Sequence, residues 1–389
     1  MSAAFELATA TRVVFGPGAL AEAPAAVRGL GVHRLLLVTG RTPARAEPLR
    51  ARLQAAGVES AVFPVAGEPT VDVARAGVAR AAEQRCDGVL AFGGGSALDA
   101  GKAIAALATN GGDPLDYLEV VGRGQPLHQA PLPFVAVPTT AGTGAEVTRN
   151  AVLGVPEARV KVSLRSPLML PRLAIVDPDL LRGLPASVVA ASGLDALSQL
   201  IEPFLSIRAN PVTDALARDG MQRAARSLER AATGGGLGDP AVREDLALAS
   251  LLGGLCLANA GLGAVHGFAA PAGGMFAAPH GAVCAALLAP VLEVNRAALD
   301  ARAPGHPARP RLDEVARLLT ADAGAVAADG EAWVRGLVSR LGIPGLGAHG
   351  MSRADIPALV PRARAASSMR GNPLPLTDDE LAEIAGRAM

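Results

Sequence analysis

Cysteine is scarce in this chain of 389 residues: Cys86, Cys256 and Cys284 are an odd number, and none forms a CxxC pair. That usage fits a reducing compartment without structural disulfides. Neither sign of charge is in excess, since Lys+Arg and Asp+Glu both number 36. A basic surface for nucleic acid and a basic tail for an anionic membrane are therefore not expected. No uninterrupted apolar run reaches the length of about 18 residues that a membrane span needs. The start, "MSAAFELATATRVVFGPG", lacks the basic region and long apolar stretch of a signal peptide. Aromatic residues are only 3% of the chain, a bias that goes with its abundant Ala, Gly and Arg and reflects coding preference as much as function. The expectation is a soluble, cytoplasmic protein that binds neither nucleic acid nor membrane.

What is present is enough apolar sequence for two domains. The first half alternates short β-rich runs with Ala-rich helical stretches: "RLLLVTG", "SAVFPVAG", "GVARAAEQRCD", "GVLAFGGG" and "FVAVPTTAGTG". This alternation predicts an α/β domain with a parallel sheet, binding ligands beyond the carboxyl ends of its strands. From "PASVVAASGLDALSQLIEPFLS" onward, long apolar or amphipathic helical segments dominate. The turn-rich "VDPDLLRGLP" divides the chain into an N-terminal dinucleotide-binding domain, 1–181, and an all-α C-terminal domain, 182–389.

Two glycine-rich loops stand at predicted strand ends. In "AFGGGSALDAGKAIA", glycines without Cβ atoms let the backbone approach a pyrophosphate, and the free N–H groups of the following helix favour its charge. Gly94, Gly95 and Ser96 lie in the turn, and Asp99 and Lys102 on the first turns of the helix. Such turns are common, and alone this one is as compatible with a simple chain reversal. The second loop, "PTTAGTGAEVTRN", adds the hydroxyls of Thr139, Thr140 and Thr143. Two such loops in one α/β half favour a dinucleotide.

A third constellation lies in the helical half. Asp195 and Gln199 are four residues apart on one face of "GLDALSQLIEPF", a helix otherwise apolar enough to be buried. An unpaired carboxylate there is costly, and a divalent metal resolves the cost. "HGFAAPAGGMFAAPH" carries His266 and His280, two of only six histidines, on small apolar scaffolding. The other four, His33, His128, His306 and His349, read as ordinary surface or core residues. Asp195, His266 and His280 make a three-ligand set that leaves space for a substrate oxygen, as a catalytic rather than a structural metal requires.

Taken in order, "FGPGAL", "GGGSALDAGKA", "PTTAGTGAEVT", "LAIVDPDLL", "GLDAL" and "HGFAAPAGGMFAAPHG" resemble the iron-containing (group III) alcohol dehydrogenase family. That family shares a superfamily with glycerol dehydrogenase and dehydroquinate synthase. The resemblance runs from about residue 13 to 285, with a weaker tail at "NPLPLTDDEL". It implies NAD or NADP on Gly94, Gly95, Ser96 and Asp99, with Thr139, Thr140 and Thr143 also in contact. Asn150 and Lys161 match polar residues near the nicotinamide and ribose. It implies Asp195, His266 and His280 as metal ligands, a small alcohol or carbonyl substrate, and a homodimer or higher homo-oligomer.

The chain departs from the family at two positions. Gln199 stands where a fourth ligand, a histidine, is usual, and an amide oxygen is a weaker, harder ligand than imidazole. Glycerol dehydrogenases resemble this chain in using one carboxylate and two histidines, usually on zinc, so Fe(II) and Zn(II) both remain open, as does Gln199 as a ligand. Ala270 replaces a histidine often assigned to proton relay, leaving water, ribose hydroxyls or another group for that task. The first strand leads into Gly40 and Arg41 rather than an Asp that would hold the adenosine ribose, which removes repulsion of a 2′-phosphate and favours acceptance of NADP. Phe268, Phe276, Leu153 and Met275 are candidate pocket residues, though such residues are more often plain core. The expected reaction is hydride transfer between an alcohol and NAD(P). The competing readings are a maleylacetate reductase-type enzyme, a lyase of the dehydroquinate synthase type, and a cofactor-binding protein without catalysis.

Overall fold

The computed structural model describes residues 4–233, 235–276 and 278–389. Its first unit comprises Thr9–Thr140 and Gly144–Arg182. Here six strands form one parallel sheet: β1 (Val13–Phe15), β2 (Arg34–Thr39), β3 (Glu59–Pro64), β4 (Gly88–Gly93), β5 (Phe134–Pro138) and β8 (Leu173–Val176), in the spatial order β1-β8-β5-β4-β2-β3. The inner strands read as continuous apolar runs because helices cover both faces of such a sheet. Leu35, Leu36, Leu37 and Leu90 are fully buried. Helices α1 (Ala23–Gly29), α2 (Glu47–Ala55), α3 (Val71–Glu83), α4 (Gly95–Asn110) and the single turn α5 (Pro114–Tyr117) complete the alternation.

The strand order contains a reversal. From β2 the chain moves outward to β3, then returns to place β4 on the other side of β2. Connections leaving the carboxyl ends of β2 and β4 therefore diverge, opening the crevice in which such sheets bind ligands. Gly40 follows β2, and Gly94 and Gly95 follow β4. One element departs from the parallel alternation: β6 (Asn150–Val155) and β7 (Val160–Arg165) form a separate antiparallel pair. "NAVLGV" alternates half-buried and buried residues, the pattern of a sheet covered on one face.

The second unit contains residues 4–8, Ala141–Thr143 and Gly183 onward. The division thus falls at Arg182/Gly183, and two short pieces of the first 181 residues belong with the helices. Residues 4–8 are tied there by reciprocal bonds between Ala8 and Asn259, at 2.6 and 2.9 Å. Ala141–Thr143 belong because Gly142 presses on Ser192, where a Cβ would come within 2.7 Å of the serine Cβ.

The helices are α6 (Ala186–Leu205), α7 (Pro211–Ala232), α8 (Pro240–Ala260), α9 (Ala264–Phe276), α10 (His280–Arg302), α11 (Ala308–Thr320), α12 (Ala327–Arg340), α13 (Ile356–Ala365) and α14 (Asp378–Arg387). α6 packs against α7, α8 and α10, and Leu194, Leu197, Leu200 and Ile201 are fully buried. α6 and α10 are long and apolar enough to cross a membrane by length and composition, although no sequence run is unbroken. In each, 83% of the apolar window is buried inside the protein, as in core helices.

Candidate metal centre and dinucleotide cradle

The dinucleotide cradle starts at the amino end of α4. Gly94 is its N-cap and supplies no side chain to the free N–H groups of the first turn. A Cβ at Gly94 would lie 3.1 Å from Thr140 Oγ1 and 3.3 Å from its Cγ2. Glycine is what lets the second loop's hydroxyl approach the helix terminus. Gly93 is similarly confined by Gly40, whose N would be 3.2 Å from a Cβ there. The uncapped terminus, the bare backbone and the nearby hydroxyl fit a pyrophosphate.

The second loop is held from beneath. Lys102, fully buried, donates to Ala145 O (3.1 Å), Thr148 Oγ1 (2.9 Å) and Asn150 O, and pairs with Asp99 at 3.1 Å. Asp99 also accepts from Val152 N–H at 3.0 Å. The Asp99 carboxylate thus anchors β6 as well as lying at the base of the cradle. Lys161 pairs with Glu68 across the small sheet. Arg41 donates to Ala66 O at 3.4 Å from an exposed position. Thr139 and Thr140 belong to this unit, whereas Thr143 belongs to the helical one.

The metal centre is assembled by three helices of the other unit. Asp195 projects from the middle of α6, His266 from the first turn of α9, and His280 opens α10. Gly281 allows that approach: a Cβ there would be 2.6 Å from Ala191 O, one turn before Asp195. His266 Nε2 is 3.2 Å and His280 Nε2 3.6 Å from Asp195 Oδ1. Cys284 joins them, its Sγ 3.8 Å from His266 Nε2 and 3.6 Å from His280 Nε2. One ligand atom from each of these four residues lies within 4.8 Å of every other. Asp195, His266 and Cys284 are buried, while the His280 side chain is 36% exposed and forms the open side.

Behind His266 stands Glu202, two helical turns beyond Asp195 on α6. Its Oε2 accepts from His266 Nδ1 at 2.6 Å, and its Oε1 from Val265 N–H at 2.6 Å. This bond places the imidazole proton on Nδ1 and directs Nε2 at the centre, the usual carboxylate–histidine support of a metal ligand. Asn372 accepts from Ala264 N–H and is bonded to Asn295, bracing the start of α9.

The electrostatics favour a cation. Burial opposes charge on His280, but Cys284 and Asp195 outweigh it and push its pKa up to about 9. His266 is likewise raised against burial, by Cys284, Glu202 and Asp195. Burial also opposes charge on Asp195, yet His280 and His266, with a smaller share from the neighbouring Gln199 amide, hold its carboxyl below the usual range. Protons here occupy sites that a divalent ion competes for. A donor set of carboxylate, two imidazoles and thiol fits such an ion.

An iron-containing alcohol dehydrogenase model matches residues 10–178, and a model of the Fe-containing alcohol dehydrogenase family's C-terminal part matches 189–389. The chain belongs to the iron-containing alcohol dehydrogenase family. It is 34% identical to alcohol dehydrogenase 4 of Schizosaccharomyces pombe, over 97% of this chain and 87% of the relative. It is 40% identical to 1,3-propanediol dehydrogenase of Klebsiella pneumoniae, over 72% and 73%. The solved structure of a 1,3-propanediol oxidoreductase superposes with a TM-score of 0.90 at 34% identity, covering all of both chains. A sulfoacetaldehyde reductase from Bifidobacterium kashiwanohense, solved with NAD+, superposes at 0.87 with 26% identity, covering 99% of each. The protein is a metal-dependent, NAD(P)-linked alcohol dehydrogenase that interconverts a small alcohol and an aldehyde or ketone.

Of the residues singled out in the sequence, Asp195, His266 and His280 come together. Gln199 is buried one turn beyond Asp195 on α6. Its Oε1 has no hydrogen-bond partner among the described residues and lies toward Gly253 of α8, 3.7 Å from a Cβ built there. Glu202 and Cys284 were not among the sequence candidates. Both carry the helical signal that finds them: Cys284 is four residues after His280, and Glu202 seven after Asp195. Phe268 is fully buried core.

Proposed function

We propose that the α/β unit holds NAD(P) and the helical unit holds the metal and substrate, in a cytoplasmic homodimer. The observation that carries this is the convergence of Asp195, His266 and His280 on one point, backed by Glu202. When bound, the metal polarises the substrate oxygen and NAD(P) accepts or supplies the hydride. Asp195 contributes charge, and His266, fixed through Nδ1 by Glu202, contributes a directed lone pair. His280 closes the ligand set from the open side. Gly94, Gly95 and Ser96 seat the pyrophosphate at α4, Asp99 supports the cradle, and Thr139, Thr140 and Thr143 donate hydroxyls to the cofactor. Asn150 and Lys161 serve the nicotinamide and ribose end. With Ala270 in place of an imidazole, water or the ribose hydroxyls carry the substrate proton.

Gly40 and Arg41 support acceptance of NADP: the end of β2 has no carboxylate to repel a 2′-phosphate, and Arg41 offers it a guanidinium. The exposed apolar Val13 on edge strand β1 supports dimerisation at that edge of the sheet. The metal-free maleylacetate reductase reading is weaker because the ligand cluster is intact.

The test is NAD(P)-dependent oxidation of short alcohols by protein purified without chelator, then after chelation, then after return of Fe(II) or Zn(II). Loss and recovery of turnover are expected, and full activity in the chelated, metal-free protein would overturn the metal role. Arg41→Asp should weaken NADP about ten-fold relative to NAD, the worth of one exposed charge-assisted hydrogen bond.

A further inference from the structure

We propose that Cys284, bound as a thiolate, is the fourth protein ligand of the metal, in the place that Gln199 leaves. The inference rests on the metal centre proposed above.

Three observations converge. The first is distance. A tetrahedral zinc ion with Zn–S of about 2.3 Å and Zn–N of about 2.0–2.1 Å holds its S and N atoms roughly 3.6 Å apart. Cys284 Sγ is already 3.6 Å from His280 Nε2 and 3.8 Å from His266 Nε2. His280 and Cys284 lie one turn apart on α10, so a single helix presents both to the same point.

The second is what Gln199 does instead. Its side-chain oxygen lies on the Gly253 side of α8, 3.7 Å from a Cβ built there, and has no hydrogen-bond partner among the described residues. In the site proposed here that oxygen is not a donor to the ion. The third is grouping: one ligand atom from each of Asp195, His266, His280 and Cys284 lies within 4.8 Å of every other, close enough for one ion to touch all four. The other cysteines have no such surroundings: Cys256 lies in the core against Thr213 O at 3.4 Å, and Cys86 is half-buried beside Asp87.

The consequence is metal choice. Thiolate is a soft donor, and a site of one sulfur, two nitrogens and one oxygen favours Zn(II) over Fe(II) relative to an all-nitrogen and oxygen set.

The experiment loads the full-length apoprotein with Co(II) alone and records its near-ultraviolet absorption together with cobalt per chain. A sulfur-to-cobalt charge-transfer band is expected in the unaltered protein. It should vanish in Cys284→Ser and persist in Gln199→Ala. One cobalt per chain without the band, or a band that survives in Cys284→Ser, overturns the sulfur ligand and leaves the alcohol dehydrogenase reading standing. Failure to bind cobalt at all overturns the metal centre, and this proposal with it. X-ray absorption of the zinc-loaded unaltered protein needs no variant: one sulfur at about 2.3 Å is expected, and its absence refutes the assignment. Zinc affinity should fall more than about 100-fold in Cys284→Ser, beyond the 10–100-fold typical of losing a supporting residue.

Discussion

The two binding regions of this enzyme are built on opposite means. The proposed cradle in the α/β unit works by leaving atoms out: Gly94 lacks a Cβ, α4 lacks a side-chain cap, and the backbone stands bare at the helix terminus. The metal centre works by adding atoms, with side chains from three helices stacked on one point and a carboxylate behind them. Their buried acids differ in the same way. Asp195 is held ionised by its imidazole partners, whereas burial pushes Glu146, in the cradle's second loop, up to about 7 against the opposing charge of Lys102. A region defined by omission is damaged by gaining atoms, and one defined by convergence by losing them.

The sharpest test of that contrast is Asp195→Ala. It should empty the metal centre and lower kcat/KM on the order of 10³-fold, since polarisation by a metal is worth several kcal/mol, while NAD(P) binding measured by fluorescence titration stays intact. A variant that kept both metal and turnover would break the comparison. Gly94→Val is its mirror image. The added side chain must displace Thr140, raising the dissociation constant for NAD(P) on the order of 10–100-fold with metal content unchanged; each tenfold is about 1.4 kcal/mol.

Glu202→Gln probes the support of the metal centre. Metal affinity should fall about ten-fold, read by competition with a chromophoric chelator, because the amide holds His266 less firmly than the carboxylate. The smallest effect is on stability. The raised pKa means folded Glu146 keeps a proton that the unfolded chain releases. Its stabilising contribution is therefore whole below about pH 4.5 and is lost as pH rises through about 7. Glu146→Gln should stabilise the protein at pH 8 by on the order of 1 kcal/mol, and melting curves of the two proteins should converge at pH 5.

How much of this was legible in the sequence follows from the same contrast. Glycines after apolar runs announced the cradle, because omission is written locally, and the inner strands announced themselves as unbroken apolar segments. The β6–β7 pair was missed because a short alternating run next to a Gly-rich loop has little to distinguish it. In the metal centre, Asp195, His266 and His280 stood out by residue type against apolar surroundings. Cys284 and Glu202 did not, since a lone Cys in a core helix and a Glu on a long helix are ordinary until the fold shows which face they share. Gln199 was legible as an anomaly, but the direction in which its amide turns depends on α8, whose packing the local sequence does not encode.

Of the basic side chains only Lys102 and Lys161 are lysines; all the rest are arginine. Both lie in the α/β unit, where Lys102 has no exposed side-chain surface and Lys161 has 13%. Acylating reagents, aldehydes in crosslinking and amine-coupling supports therefore find almost nothing to react with beyond the chain's amino terminus. Lys161, which lies on β7, pairs with Glu68 and is proposed above to serve the cofactor, is the one side-chain amine within reach of such chemistry. A single mass increment there, appearing without coenzyme and suppressed by it, would report occupancy of that region against a background free of other labelled side chains.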